Sequence, residues 1–256
     1  MTPTRDEVTN GAAGLLLLKE GGFTIMQEWI ADFVTAIQGP VATVHLRECC
    51  FVLIGMALAI PAIAQAPADA IWNELAAGNR RFMTGKSQPR DLVTRRKELA
   101  NTQHPRVAVL SCADSRVPPE LVFDEGLGDL FVVRSAGGSA DPLAVGSLEY
   151  AVEHLGTSLI VVMGHQSCGA VKAACADQKA GSPNLEALIA PIAASCKQIN
   201  RNDEETFELA ARDHVHSVAR ELLLSSVLLN KAVSEGKLHI IEAYYSLDTG
   251  GVTKLR

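Results

Sequence analysis

Residues 106–116 read RVAVLSCADSR, a short apolar run that passes directly into a polar loop. Residues 158–169 read SLIVVMGHQSCG and have the same arrangement. Two further runs rich in β-branched residues lie at 130–134 and 238–243. Continuous apolar runs of this length, bounded by Pro105 or by glycines, are typical of strands that are buried on both faces. These runs predict the strands of a sheet.

Segments with helical spacing of apolar residues separate the predicted strands. Alternating strands and helices favour an α/β fold with a mostly parallel sheet, because each parallel connection has to cross back over one face of the sheet. We predict about four to five strands flanked by helices, after an N-terminal helical extension. Helices are expected at about 70–82, 141–154 and 170–174, and within a long region at about 185–234.

The first 64 residues are predicted to form an extension that precedes one folded domain at 65–256. Residues 49–64 carry no charge, and Ala62 and Ala64 provide a small-residue cleavage site, which is the layout of a secretory signal peptide. The run is short for a membrane span, so export to a periplasm or to the exterior is predicted, without stable membrane insertion. A packed helix in a cytoplasmic protein is the alternative, because acidic residues upstream of the run suit a signal peptide poorly.

The composition is that of a globular protein, with 48% hydrophobic and 20% charged residues among 256. Wholesale disorder is therefore excluded. The formal net charge is −6, from 23 basic and 29 acidic side chains, and nucleic-acid binding is not expected because it requires a basic surface. Six cysteines are too few for a disulfide scaffold. Cys175 and Cys196 are expected to be core thiols, or a disulfide if the chain is exported.

Side chains that can bind a metal follow the first and the third predicted strands. Cys112 follows the first strand, and His165 and Cys168 follow the third. Because the carboxyl ends of parallel strands lie at one edge of a sheet, these three side chains are expected to meet. Two thiolates and an imidazole suit Zn²⁺, and three protein ligands leave a fourth position open, as in catalytic zinc sites. A redox pair of Cys112 and Cys168 is the alternative, and it would leave His165 without a role.

A carboxylate and a guanidinium lie beside the first of these cysteines. Asp114 and Arg116 are two residues apart on the loop after the first strand, and a charge-assisted pair between them is expected. The alternative is a surface ion pair that contributes only ~0–1 kcal/mol to stability. Their position next to Cys112 favours a role at the metal site.

The combination of Cys112-x-Asp114-x-Arg116 with His165-x-x-Cys168 resembles the signature of the β-class carbonic anhydrases. The similarity extends over about Asp69–Leu255 and includes residues 117–134, 147–152 and 243–250. The first 64 residues have no counterpart in the family.

One segment departs from the family pattern. Residues 134–138 read RSAGG where many members carry RNAGN, a change that touches no ligand. Gly137 and Gly138 are expected to allow a close approach of the backbone near the site, because glycine has no side chain in the way.

The resemblance implies a zinc enzyme that reversibly hydrates CO₂ to bicarbonate and a proton by means of zinc-bound hydroxide. Cys112, His165 and Cys168 would be the zinc ligands. Asp114 and Arg116 would be the catalytic residues, since the carboxylate would orient the zinc-bound oxygen and the guanidinium would hold the carboxylate. In some members the residue equivalent to Asp114 is instead a fourth metal ligand in a closed site.

The resemblance also implies a homodimer or a dimer of dimers, in which the helix at Ala70–Phe82 wraps over the partner. Two other functions remain open on the same fold. One is hydrolysis of CS₂ or COS at the same zinc site, and the other is a non-catalytic zinc-binding homologue. The second usually lacks the aspartate–arginine pair, which is present here as Asp114 and Arg116.

Overall fold

The computed structural model of the chain describes residues 68–176, 181–196 and 204–256, which belong to the predicted domain. The predicted extension at 1–64, with its apolar run at 49–64, lies outside the described residues. Within the described ranges, no helix combines the length and the hydropathy that crossing a membrane requires.

The strands of the described ranges form one sheet. They are β1 (Val107–Cys112), β2 (Leu130–Ser135), β3 (Leu159–His165), β4 (His239–Tyr245) and β5 (Val252–Lys254). Their order across the sheet is β2-β1-β3-β4-β5, with the first four parallel and β5 antiparallel to β4. The predicted α/β fold with a mostly parallel sheet is therefore confirmed.

Two helices precede β1, and the other six lie between successive parallel strands, as expected for parallel connections. They are α1 (68–83), α2 (Leu92–Glu98), α3 (Pro119–Val122), α4 (Pro142–Leu155), α5 (Gly169–Cys175), α6 (Pro183–Ala193), α7 (Glu204–Ser225) and α8 (Val227–Ser234). A short 3₁₀ helix at Ala194–Cys196 follows α6.

The short helix α3 was not expected, and two further helical features differ from the expectations. Helix α2 has no apolar pattern because none of its residues is buried, and the carboxylate of Asp91 caps it by accepting two backbone N–H groups at 3.1 Å. The expected helical region at 185–234 is divided among α6, α7 and α8. Ser226 separates the last two, because its hydroxyl accepts a hydrogen bond from the Leu229 N–H at 3.0 Å and so begins a new helix.

Successive residues of a strand point to opposite faces of the sheet, and helices cover both faces. On one face, Leu110 of β1 packs with Leu222 of α7. On the other face, Val109 packs with Trp72 of α1 and with Phe123. Burial of each such side chain stabilises the fold by about 1.5–3 kcal/mol. Every residue of β1 is buried, which explains why this strand reads as a continuous apolar run.

A disulfide joins Cys175, at the end of α5, to Cys196 in the 3₁₀ helix. Of the two states expected for these cysteines, the structure therefore has the disulfide. Ile192, four residues before Cys196, is fully buried in the same cluster as Cys112 and Cys168. The disulfide thus holds α5 and the end of α6 beside the carboxyl end of β1.

Candidate metal centre

The three predicted metal ligands come together at one edge of the sheet. Cys112 is the last residue of β1, His165 is the last residue of β3, and Cys168 is the N-cap of α5. Because β1 and β3 are parallel neighbours, their carboxyl ends bring the side chains together. The three ligand atoms lie within 4.8 Å of one another, and the two sulfur atoms are 3.9 Å apart. All three residues are buried.

The imidazole of His165 has a free lone pair inside this cluster. Its Nδ1 is 2.8 Å from the carbonyl oxygen of Gln166. A carbonyl oxygen only accepts hydrogen bonds, so Nδ1 carries the proton and Nε2 has the lone pair. Nε2 is buried and has no hydrogen-bond partner. A ring nitrogen oriented in this way by a backbone carbonyl is typical of metal-binding histidines, so the residues present fit a metal ion.

The thiol groups of Cys112 and Cys168 influence each other's ionisation, because they are hydrogen-bonded. A hydrogen bond from the Cys168 thiol lowers the pKa of Cys112, against the opposing effect of burial. The same hydrogen bond, together with burial, raises the pKa of Cys168. The Gly137 N–H also donates to the Cys112 sulfur at 3.3 Å. Because cysteine binds a metal as the thiolate, a bound dication would displace the protons that remain on the two thiols.

Asp114 and Arg116 form a two-pronged pair on the loop after β1. The guanidinium donates from Nε to Oδ1 at 2.9 Å and from Nη2 to Oδ2 at 2.8 Å, and the Arg116 backbone N–H also donates to Oδ1 at 2.9 Å. The hydrogen bonds from Arg116 hold the pKa of Asp114 well below its usual range, so the carboxylate is ionised at neutral pH. The predicted pair is present, and both of its carboxylate oxygens face the guanidinium.

Arg134 is a site residue that the sequence reasoning did not single out, although it begins the segment that departs from the family pattern. From β2, its guanidinium donates to the carbonyl oxygen of Cys112 at 3.0 Å and to that of Asp114 at 2.6 Å. It therefore fixes the backbone of the loop that carries the first ligand and the carboxylate.

The expected close approach at Gly137 and Gly138 is confirmed. Both have positive φ angles, 84° and 69°. A Cβ on Gly137 would lie 2.4 Å from Cδ1 of Ile192, and a Cβ on Gly138 would lie 2.9 Å from the backbone of Ser111. Only glycine fits here without displacing a neighbour.

The second ligand loop is tied to the segment after β4. The Gln166 side chain donates from Nε2 to Asp248 at 2.6 Å, and its Oε1 accepts from the Ser246 hydroxyl and from the Asp248 N–H, each at 3.1 Å. Ser246 and Asp248 lie in the late segment that carries the family resemblance. Their contribution is to hold the loop between His165 and Cys168.

Three ligands contributed by two neighbouring strand ends are the arrangement of a catalytic rather than a structural metal site. The fold and this cluster therefore define an α/β protein with a candidate metal centre of three ligands, the number that catalytic zinc sites use. Residues 107–252 match the sequence model of the family described as Carbonic anhydrase. The chain belongs to the β-carbonic anhydrase family, which confirms the resemblance and the prediction of an enzyme of that class.

Relatives and solved structures agree with this assignment. Carbonic anhydrase 2 of Mycobacterium tuberculosis is 40% identical over 185 residues, which are 71% of this chain and 89% of that protein. A carbonic anhydrase of Mycolicibacterium smegmatis is 36% identical over 190 residues, 72% of this chain and 91% of that protein. The solved β-carbonic anhydrase CcaA has a TM-score of 0.59 at 25% identity, over 64% of this chain and 85% of its own.

Proposed function

We propose that this chain hydrates CO₂ reversibly to bicarbonate and a proton, with zinc held by Cys112, His165 and Cys168. The observation that carries the proposal is the unpartnered Nε2 of His165, buried within 4.8 Å of two cysteine sulfurs. Zinc bound by this set would supply hydroxide near neutral pH by acidifying a water molecule.

The residues around the cluster would orient the reactants. An ionised carboxylate only accepts hydrogen bonds, so Asp114 would accept a hydrogen bond from the attacking oxygen and thereby direct a lone pair of that oxygen toward the carbon of CO₂. Arg116 fixes the direction of both Asp114 oxygens through its two parallel hydrogen bonds. Arg134 holds the backbone on which Asp114 is carried.

The test uses the purified full-length chain. Zinc content is measured by elemental analysis, and CO₂ hydration is measured by stopped flow with a pH indicator, with COS and CS₂ assayed in parallel. We expect about one zinc per chain, as for a single three-ligand site. CO₂ hydration should be lost when zinc is removed and restored when zinc is added back. Zinc-loaded protein that hydrolyses COS or CS₂ and not CO₂, or that turns over none of them, would contradict the proposal.

We also propose that the chain forms a homodimer or a dimer of dimers. Strand β2 is at the edge of the sheet, and among the described residues no strand pairs with its outer side. Such an edge requires a cover, because its unpaired N–H and C=O groups are a template for another strand. Helix α4, beside β2, also exposes Leu143 and Tyr150, whose exposed fractions are 84% and 49%.

Export is proposed for the chain, with removal of the extension near Ala64. The uncharged run at 49–64 supports it, and so does the Cys175–Cys196 disulfide, because disulfides persist in oxidising compartments. Mass spectrometry of the protein from its natural host would test this. We expect a mature chain that begins near Gln65 and contains the disulfide, and full-length protein recovered from the cytoplasm with both thiols reduced would contradict it.

A further inference from the structure

Glu208, on α7, contacts the second ligand loop although no motif pointed to it. Its Oε1 accepts a hydrogen bond from the backbone N–H of Ser167 at 2.9 Å. Its Oε2 accepts a hydrogen bond from the hydroxyl of Tyr244 on β4. The carboxylate thus connects the loop between His165 and Cys168 to a neighbouring strand.

The backbone of Ser167 requires such support. Its φ angle is 54°, in the left-handed region that residues other than glycine rarely adopt. A conformation of this kind persists only where surrounding groups hold it. A hydrogen bond from a backbone N–H to a carboxylate is charge-assisted and therefore stronger than one between neutral groups. Glu208 makes that bond at the residue directly before Cys168.

The other side of Ser167 faces the aspartate–arginine pair. The Nη2 of Arg116 lies 3.5 Å from the carbonyl oxygen of Ser167, while the same guanidinium holds Asp114. Ser167 is therefore held through its N–H by Glu208 and through its C=O by Arg116. A change in the position of Ser167 would therefore alter the positions of the candidate ligands and of the Asp114 carboxylate.

Glu208 is itself held in place by its surroundings. Tyr244 is 2% exposed, and the guanidinium of Arg212, one turn further along α7, lies 3.9 Å from the centre of its ring. Helix α7 also packs closely on β3, since a Cβ on Gly164 would lie 2.5 Å from Val215. The carboxylate is thus presented to the ligand loop by a closely packed helix.

We propose that Glu208 is a positioning residue of the metal centre, which holds the loop 165–168 in the conformation that binds the metal. This inference rests on the proposed zinc site, and it concerns metal binding rather than the reaction. Replacing groups that orient metal ligands typically weakens metal binding about 10–100-fold, and we expect a loss in that range when Glu208 is removed.

The experiment compares the full-length wild type with Glu208→Ala, Glu208→Asp and Glu208→Gln. Zinc dissociation constants are measured by competition with a chelator, and the visible absorption of the Co²⁺-loaded proteins reports the geometry of the ligands. Glu221→Ala, at an exposed position on the same helix, is the control. Far-UV circular dichroism establishes that each variant is folded, and Glu208→Asp, which shortens the reach by one methylene, replaces the alanine variant if that one does not fold.

We expect weaker zinc binding and an altered Co²⁺ spectrum for the alanine and aspartate variants, and wild-type behaviour for Glu221→Ala. Glu208→Gln should recover part of the affinity, because its amide oxygen can still accept the Ser167 N–H although without the charge of the carboxylate. Unchanged affinity and spectrum in the alanine and aspartate variants would overturn the inference, as would a glutamine variant as impaired as alanine. A wild type that binds neither metal would overturn the proposed function together with this inference.

Discussion

At the scale of single residues, Asp114 is paired with Arg116 and is not one of the three candidate metal ligands. Its carboxylate is ionised and directed by Arg116, while the three ligand atoms of the cluster come from Cys112, His165 and Cys168. Because Asp114 lies outside the cluster of candidate ligands, it can be replaced and the effects on turnover and on zinc content measured separately.

Asp114→Asn is therefore expected to lower turnover while zinc remains bound. An amide does not provide the ionised acceptor, so we expect a loss of ~10²–10⁴-fold in kcat, the scale of positioned acid–base groups. The measurement is stopped-flow CO₂ hydration at alkaline pH, with zinc content determined in the same samples. Glu74→Gln, which removes the carboxylate of an exposed ion pair with Arg106, is the control and should retain full activity. Wild-type rates in zinc-loaded Asp114→Asn would contradict the catalytic role.

Gly137→Ala is expected to destabilise the protein. Its φ angle of 84° is strained for alanine, and the added methyl would lie 2.4 Å from Ile192. We expect a loss of about 1–3 kcal/mol in the free energy of unfolding, measured by urea denaturation. Gly146→Ala in α4 is the matched control, since open space surrounds its Cβ position, and it should stabilise by about 0.5–1 kcal/mol. Equal effects of the two substitutions would contradict the argument.

At the scale of elements, one buried carboxylate connects α1 to the chain that leads into β2. Asp124 has a side chain that is 1% exposed and accepts hydrogen bonds from Arg81 of α1 and from Arg90, the latter at 2.7 Å. Burial would raise the pKa of Asp124, but hydrogen bonds from the two arginines outweigh it and hold the pKa below its ordinary value.

The ion pairs of Asp124 with the two arginines predict a dependence of stability on pH. Because the folded-state pKa is depressed, the stabilisation is fully present above the unfolded-state value of about 3.9 and is lost as the pH falls through the folded-state value. Asp124→Asn should therefore be less stable than the wild type at neutral pH, and the difference should shrink below about pH 4. Urea unfolding of both proteins at several pH values measures it.

Asp69→Asn is the control for this series, because Asp69 pairs with Lys254 at an exposed position and such pairs contribute little. A gap between the wild type and Asp124→Asn that stays constant from neutral to acidic pH would show that the arginines do not depress the pKa of Asp124 in solution.

At the scale of the whole molecule, the open side of β2 predicts self-association. Light scattering after size exclusion should give a dimer or a multiple of it. Replacing Leu143 and Tyr150 together by glutamate should weaken the association, because charges would be buried in an interface. Leu224→Glu, at another exposed apolar position, is the control and should not change the mass. A monodisperse and fully active monomer would contradict the proposal.

Local patterns in the sequence were enough to predict the fold class and the three side chains that the structure brings together as candidate metal ligands. Cys112 and His165 each end an apolar run, and Cys168 follows His165 by three residues. Apolar runs mark buried parallel strands, and the carboxyl ends of such strands share one edge of the sheet. This inference requires only local patterns and one topological rule, so no long-range contact had to be known. The capping of α4 by Asp141 is local in the same sense.

The distant side chains that support the site could be identified from the three-dimensional contacts alone. Glu208 and Arg134 reach the ligand loops from other elements, and the pairing of Cys175 with Cys196 depends on how α5 and α6 lie together. Helix α2 and strand β5 were also not predicted from the sequence, because neither contains a buried residue and so neither has an apolar pattern. Contacts of this kind depend on how helices pack over the sheet, and that packing is set by all the buried side chains together rather than by the spacing of a few.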